Sequence, residues 1–237
     1  MSRINSISGC FDDDYCDKQR YAVKTKSRKL NALLERGKKN RIISKKLYCD
    51  FLAYRWSPRV FSEKPVTHDE LDSLFEAARW ASSSYNEQEW RYIYAVKNSK
   101  EFSVFLNFLT KSNRQWAKNA YVIVVLVGKK YFSHDGSHNK SFQLDCGISL
   151  GYLMAESALR GIAVHAMAGF DKGKISEYLK LSDEYEPLCC LAIGHYSSSL
   201  KAEEITQRKP LDEIRFNGLN EWTKAQAGNR RDSRAQA

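Results

Sequence analysis

Residues 67–96 read THDELDSLFEAARWASSSYNEQEWRYIYAV, and this stretch holds a helix, a loop and a strand in succession. Thr67 stands before a helical period of Leu71, Leu74, Phe75 and Ala78, with Glu70 three residues after the threonine. A threonine hydroxyl in that position accepts from a first-turn N–H while the glutamate answers the threonine amide, so the spacing predicts a capped helix opening at His68. Trp90–Val96 alternates in polarity and suits a half-buried strand. Between them, Ser82–Gln88 is rich in hydroxyls and carboxamides, groups that donate and accept alike.

Working outward, Tyr121–Gly128 is a β-branched apolar run and predicts a buried strand. Phe142–Gly161 predicts a long helix with Gly147 and Gly151 four residues apart. A mid-helix glycine costs about 1 kcal/mol relative to alanine, so the pair is expected to serve close approach of another backbone at a helix–helix interface. Leu188–Tyr196, carrying Cys189 and Cys190, predicts a further buried strand. Helices and strands interleave without a strict βαβ repeat, which points to an α+β domain. The organised part spans 47–219, between a basic N-terminal extension (1–46) and a basic tail (220–237). Residues 1–27 lack a sustained apolar period and are expected to be disordered or loosely helical. Leu30, Leu33 and Leu34 predict a short amphipathic helix over 28–41.

The chain has 237 residues, 43% hydrophobic and 28% charged, ordinary globular usage with enough length for a core that needs no disulfide staples. No apolar run approaches the roughly 20 residues of a membrane-spanning helix, so no integral membrane contact is expected. The net charge of +10 is unevenly placed: −3 over 1–17, +11 over 18–47, −1 over 48–223 and +3 over 224–237. A neutral body with basic ends excludes a nucleic-acid face built into the fold; contact with nucleic acid or an anionic surface is expected only through residues 18–47. Cysteines 10, 16, 49, 146, 189 and 190 form no C-x-x-C. Free thiols and the absence of a leader-like apolar segment lead us to expect a cytoplasmic protein.

Dinucleotide, P-loop, zincin and hydrolase signatures are absent. His134 and His138 flank Asp135 at metal-like spacing, but Gly136 and Ser137 make the segment a loop without further ligands, and no metal is expected. Three clusters carry chemistry. Arg55-Trp56-Ser57-Pro58-Arg59 sets two guanidiniums and a hydroxyl within five residues, a set suited to a phosphate monoester. Trp80–Arg91 offers amides and hydroxyls to a heterocycle with alternating C=O and N–H groups. Arg208-Lys209-Pro210-Leu211 is a second anion-binding candidate.

In this order, Arg55–Phe61 with Lys64-Pro65-Val66, Leu74–Ala81, Ser83–Trp90, His165–Asp171 and Arg208–Leu211 resemble the FMN-dependent nitroreductase family over roughly Leu47 to Ile214. The resemblance implies a nitroreductase-like α+β fold: a mixed central sheet flanked by helices, in an intertwined homodimer with FMN in clefts at the subunit interface. It implies further that Arg55, Ser57, Arg59 and Arg208 bind the FMN phosphate and ribityl, with Trp56 adding backbone contacts. Ser83, Ser84, Asn86 and Gln88 would line the ribityl and isoalloxazine. Met167, Ala168 and Gly169 would form the turn behind the flavin ring, where a backbone N–H reaches N5, and Asn113 would face the ring from the partner. NAD(P)H would be the co-substrate, in ping-pong turnover with a small-molecule acceptor of the nitroaromatic, quinone or enone type. No side chain is expected to act as a catalytic residue.

Where most members read Pro-Ser-Ser and Gln-Pro-Trp, this chain has Ser82 and Glu89. Loss of two φ-fixing prolines is expected to loosen the loop, and Glu89 to bring negative charge near it. His165 is expected to be a structural histidine, and Trp116, Tyr131, Phe132 and Phe142 are candidates to close over a substrate. Two other readings stay open: a flavin oxidase or dehydrogenase desaturating a natural product or modified peptide, and a non-catalytic binding protein acting through its basic N-terminus.

Overall fold

The computed structural model describes residues 52–53, 55–197 and 206–235. The helix expected over 28–41, the disorder expected over 1–27 and Cys10, Cys16 and Cys49 lie outside them. The first helix, α1 (His68–Arg79), opens as predicted: Thr67 Oγ1 accepts from the Glu70 amide at 3.1 Å, and Glu70 Oε2 accepts from the Thr67 amide at 2.9 Å. Strand β1 (Trp90–Val96) follows, and then α2 (Lys100–Phe108), whose cap Ser99 accepts from the Phe102 amide. Helix α3 (Lys111–Ala117) leads into β2 (Val122–Lys129). Helix α4 (Phe142–Arg160) stops at Gly161, whose φ of +68° is the left-handed conformation that glycine adopts at least cost. Strand β3 (Ile162–Met167) starts immediately, then α5 (Lys172–Tyr178), capped by Asp171, and β4 (Tyr185–His195). A short 3₁₀ turn (Leu211–Glu213) precedes α6 (Gly218–Ala235), which runs through position 220.

The four strands lie in the order β1-β2-β4-β3, and every neighbouring pair is antiparallel. The sheet is thus not mixed among the described residues. The α4 crossover does make β2 and β3 run in the same direction, but β4 slots between them antiparallel to both, so no parallel ladder forms. Period-two alternation along β2 feeds both faces. Ile123, Val125 and Val127 pack with Phe102, Phe105, Phe108, Ala117 and Ile175 of α2, α3 and α5. Val122 and Val124 pack with Leu71 and Leu74 of α1 and Leu153 of α4 on the other face. Among the described residues no helix is long and apolar enough to cross a membrane.

Gly147 and Gly151 do not receive a neighbouring backbone within the chain: a side chain at either position would meet nothing within 4 Å. They lie on the exposed face of α4 with Leu144, 68% exposed, and Tyr152. The 206–226 segment is exposed almost throughout, including Leu211, Ile214 and Leu219.

Candidate functional site

The basic strap 55–59 is pinned to edge strand β3 by one histidine. His165 Nδ1 lies 2.9 Å from the Pro58 carbonyl oxygen, and its ring stacks at 4.4 Å on Trp116 of α3. The Arg59 guanidinium lies 6.0 Å from the Trp116 ring centroid. Phe61 then stacks on Trp116 and packs so closely on β4 that a Cβ at Gly194 would lie 2.8 Å from its ring. The strap therefore enters the fold through packing on β3, β4 and α3. Arg55 Nη1 donates to Ser57 Oγ at 3.2 Å. Burial, with the Arg208 charge nearby, pulls Arg55 below its ordinary value. Burial also holds His165 down, aided by Arg59 and Arg55, so its ring is neutral at pH 7. Two arginines brought together in this way favour an anion between them. Trp56 is buried, with its ring parallel to that of Tyr196.

At the end of β3 the chain turns through Met167, Ala168 and Gly169. Asn113 Nδ2 donates to the Gly169 carbonyl at 3.1 Å, and the Thr110 amide donates to the same oxygen at 3.0 Å. A Cβ on residue 169 would lie 2.7 Å from Asn113 Nδ2 and 2.9 Å from Thr110 Oγ1, so glycine is what lets α3 close on this turn. Asn113, expected to reach across to a partner, is engaged with its own chain's turn. Asn113 and Trp116 sit one helical turn apart, so α3 links the turn to the strap.

The Ser83–Gln88 loop is built separately, at the start of edge strand β1. Its backbone is left-handed at Tyr85, Asn86 and Gln88 (φ +51°, +55° and +55°), a conformation that costs energy for residues with a Cβ. Hydrogen bonds hold it there. The Gln88 amide donates to Ser83 Oγ at 3.1 Å, and the Ser84 amide donates to Asp145 Oδ2 at 2.9 Å. Glu87 accepts from Lys129 Nζ, from the Ser133 amide and from the Ser133 hydroxyl at 2.7–2.8 Å. Desolvation pushes this carboxyl up, but these donors win and bring it down to about 2. The loop is thus fastened by hydrogen bonds and an ion pair despite its missing prolines. Glu89, at the end of the loop, is buried rather than exposed to solvent.

The predicted residues fall into two groups. Arg55, Ser57, Arg59, Arg208 and the Met167–Gly169 turn with Asn113 gather at the β3 edge; Ser83, Ser84, Asn86 and Gln88 gather at the β1 edge. Three strand spacings, about 14 Å, separate the edges. Phe142 is core, packed under Gly128, and is no lid, because it opens α4 on the inward face. Tyr131 and Phe132 sit in the β2–α4 loop, where Phe132 and His134 surround exposed Tyr85. His134 and Asp135 form an exposed contact at 3.4 Å. Sequence reasoning missed Thr110, Lys129, Ser133, Asn139 and Asp145, which support the site; an acidic residue in the first turn of α4 was the one available signal.

An α+β sheet with a basic strap on one edge and an amide loop on the other defines the class, and comparison with known proteins places the chain within it. A Nitroreductase family profile matches residues 52–103 and 96–195. The chain belongs to the nitroreductase family. It is similar to a solved oxidoreductase containing FMN, at 32% identity and a TM-score of 0.69, covering 75% of this chain and 94% of that one. A Streptomyces coelicolor protein, provisionally named an NADH dehydrogenase/NAD(P)H nitroreductase, is 25% identical over 154 residues, 57% of this chain and 76% of that protein. The fold is shared with a nitroreductase family protein from Streptococcus pneumoniae, at 19% identity and a TM-score of 0.62, covering 73% of this chain and all of that one.

Proposed function

We propose that this chain is an FMN-dependent oxidoreductase that uses NAD(P)H to reduce nitroaromatic, quinone or enone acceptors. The observation that carries the reading is the cationic strap joined through His165 and α3 to the glycine turn at the end of β3, in a chain similar to an oxidoreductase containing FMN. The donor set fits the group. Arg55, Arg59 and Arg208 neutralise a phosphate, and Ser57, whose Oγ already accepts from Arg55, has its hydroxyl hydrogen left to donate. Met167–Gly169 would offer backbone groups to the ring system, and Ser83, Ser84, Asn86 and Gln88 would offer amides and hydroxyls. When bound, FMN would supply the redox chemistry that couples NAD(P)H to the acceptor in a ping-pong cycle. The protein's side chains bind and orient; none needs to act as a nucleophile.

We infer that the working form is a homodimer. The two residue groups lie on opposite sheet edges, so each forms half of a site that a second copy completes. The exposed α4 face with Leu144, Gly147, Gly151 and Tyr152, and the exposed 206–226 segment with its apolar residues, supply the contact surface. The free thiols of Cys146, Cys189 and Cys190 support a cytoplasmic setting.

An absorbance spectrum of the purified protein tests the function. The expected result is one non-covalent FMN per chain that bleaches when NAD(P)H is added without oxygen. Bound FMN that resists NAD(P)H but turns over with oxygen refutes the reductase in favour of an oxidase. A protein that neither holds nor takes up FMN refutes both, and would direct attention to residues 18–47.

A further inference from the structure

Between the Ser83–Gln88 loop and the first turn of α4, two carboxyl groups are buried against each other. Glu89 is fully inaccessible to solvent and Asp145 is 5% exposed. Glu89 Oε1 accepts from Asn139 Nδ2, while Oε2 has no donor. The Glu89 carboxyl lies within hydrogen-bonding reach of the Asp145 side chain, whose Oδ2 accepts from the Ser84 amide at 2.9 Å. Carboxylate oxygens only accept. Two such groups in contact satisfy each other only when one carries a proton and donates it.

The other charged groups around the pair are engaged elsewhere. Lys129 Nζ is held by Glu87 and Ser133, and the Arg91 guanidinium donates to the carbonyls of Gln88 and Trp90 at 2.8 Å. Cys146, the next residue on α4, is pushed up to about 12 by burial and stays neutral. The pair also closes the loop: Asp145 holds Ser84 at its start, and Glu89 follows Gln88 at its end. Within that clasp lie the left-handed residues Tyr85, Asn86 and Gln88, a costly backbone conformation that persists only where its surroundings hold it.

We propose that Glu89 and Asp145 hold one proton between them, that this proton latches the Ser83–Gln88 loop to the start of α4, and that its loss loosens the loop's grip on the flavin. The flavin part rests on the function proposed above; the latch stands without it. Burial, with the Asp145 charge beside it, pushes Glu89 up to about 7, which places the release in the neutral range. Above it two carboxylates face each other, and the start of β1 and the start of α4 repel.

The test uses the full chain, first free of flavin. Amide hydrogen exchange over 84–88, corrected for the intrinsic pH dependence, is expected to lose about tenfold protection between pH 6 and pH 8, the change for one group titrating near 7. In Glu89→Gln the carboxamide keeps an acceptor for Asn139 and gives Asp145 an N–H donor, so protection should be flat. Asp145→Asn, which removes the other charge while keeping an acceptor for Ser84, should be flat as well, and serves if the first variant folds poorly. The FMN dissociation constant should rise about tenfold over the same range in the parent and stay constant in Glu89→Gln. A Glu89 carboxyl titrating near its ordinary value, or parent exchange that is flat with pH, or a Glu89→Gln protein that keeps the parent's pH dependence, overturns the latch. If no variant binds FMN, the functional reading fails while the exchange experiment still decides the latch.

Discussion

Replacing Gly194 by alanine tests how the strap is anchored. The new Cβ would lie 2.8 Å from Phe61 Cδ1, 3.2 Å from Cγ and 3.3 Å from Cβ. A phenylalanine ring cannot fold away as a flexible chain end does, and this one is 6% exposed and stacked on Trp116. Overpacking of this kind costs about 1–3 kcal/mol. Loss of unfolded-state entropy on Gly→Ala returns about 0.4–1 kcal/mol. The net expectation is about 1.5 kcal/mol of destabilisation, or roughly 3–6 °C in Tm for a domain of this size. Urea unfolding of the parent, Gly194→Ala, Phe61→Leu and the double variant reads it out. The double variant should cost less than the sum of the singles by at least about 0.5 kcal/mol, because the leucine tilts away from the new methyl. Displacing Phe61 also drags Pro58 from His165, so FMN affinity should fall in Gly194→Ala. A single variant as stable as the parent, or strictly additive energies, refutes the reasoning.

Gly169→Ala should push the Asn113 amide off the Gly169 carbonyl, weakening FMN binding about tenfold by titration, a change of about 1.4 kcal/mol. Glu87 is depressed to about 2, so its contribution to stability is present above about pH 4.5 and lost as pH falls from there towards 2. The full shift corresponds to about 3 kcal/mol, reduced to about 1–2 by solvent screening. Glu87→Gln should therefore lower urea stability by that amount at pH 7 and by little near pH 2. Thr67→Ala should cost about 1 kcal/mol in the same assay through loss of the α1 cap.

Much of the fold could be read from local chemistry. The Thr67–Glu70 box, the alternation of Trp90–Val96 and the apolar run before Gly128 each report a decision made over a few residues, and the structure places α1, β1 and β2 within one residue of those expectations. Strand β3 was not legible: it follows the helix-ending Gly161 with no intervening loop, and its six residues carry no polar alternation except His165. Strand order was hidden as well, because nothing local says that β4 slots between β2 and β3. That placement is what sends the strap and the amide loop to opposite edges, so the candidate residues could be singled out in the sequence while their division into two groups could not. The burial of Glu89 escaped too, since its neighbours Gln88 and Trp90 give no hint that α4 brings an aspartate beneath it.

That division yields the most direct test of the account, which holds that one copy supplies the strap and the other the loop of each flavin site. Arg55→Ala/Arg59→Ala cripples the first half and Asn86→Ala/Gln88→Ala the second. Each variant alone should retain little FMN. Co-expressed with different tags and purified through both, the mixed pair should hold one FMN per two chains, because one of its two sites is assembled from intact halves. A mixed pair without FMN, or FMN retained at parent level by either variant alone, would contradict the account.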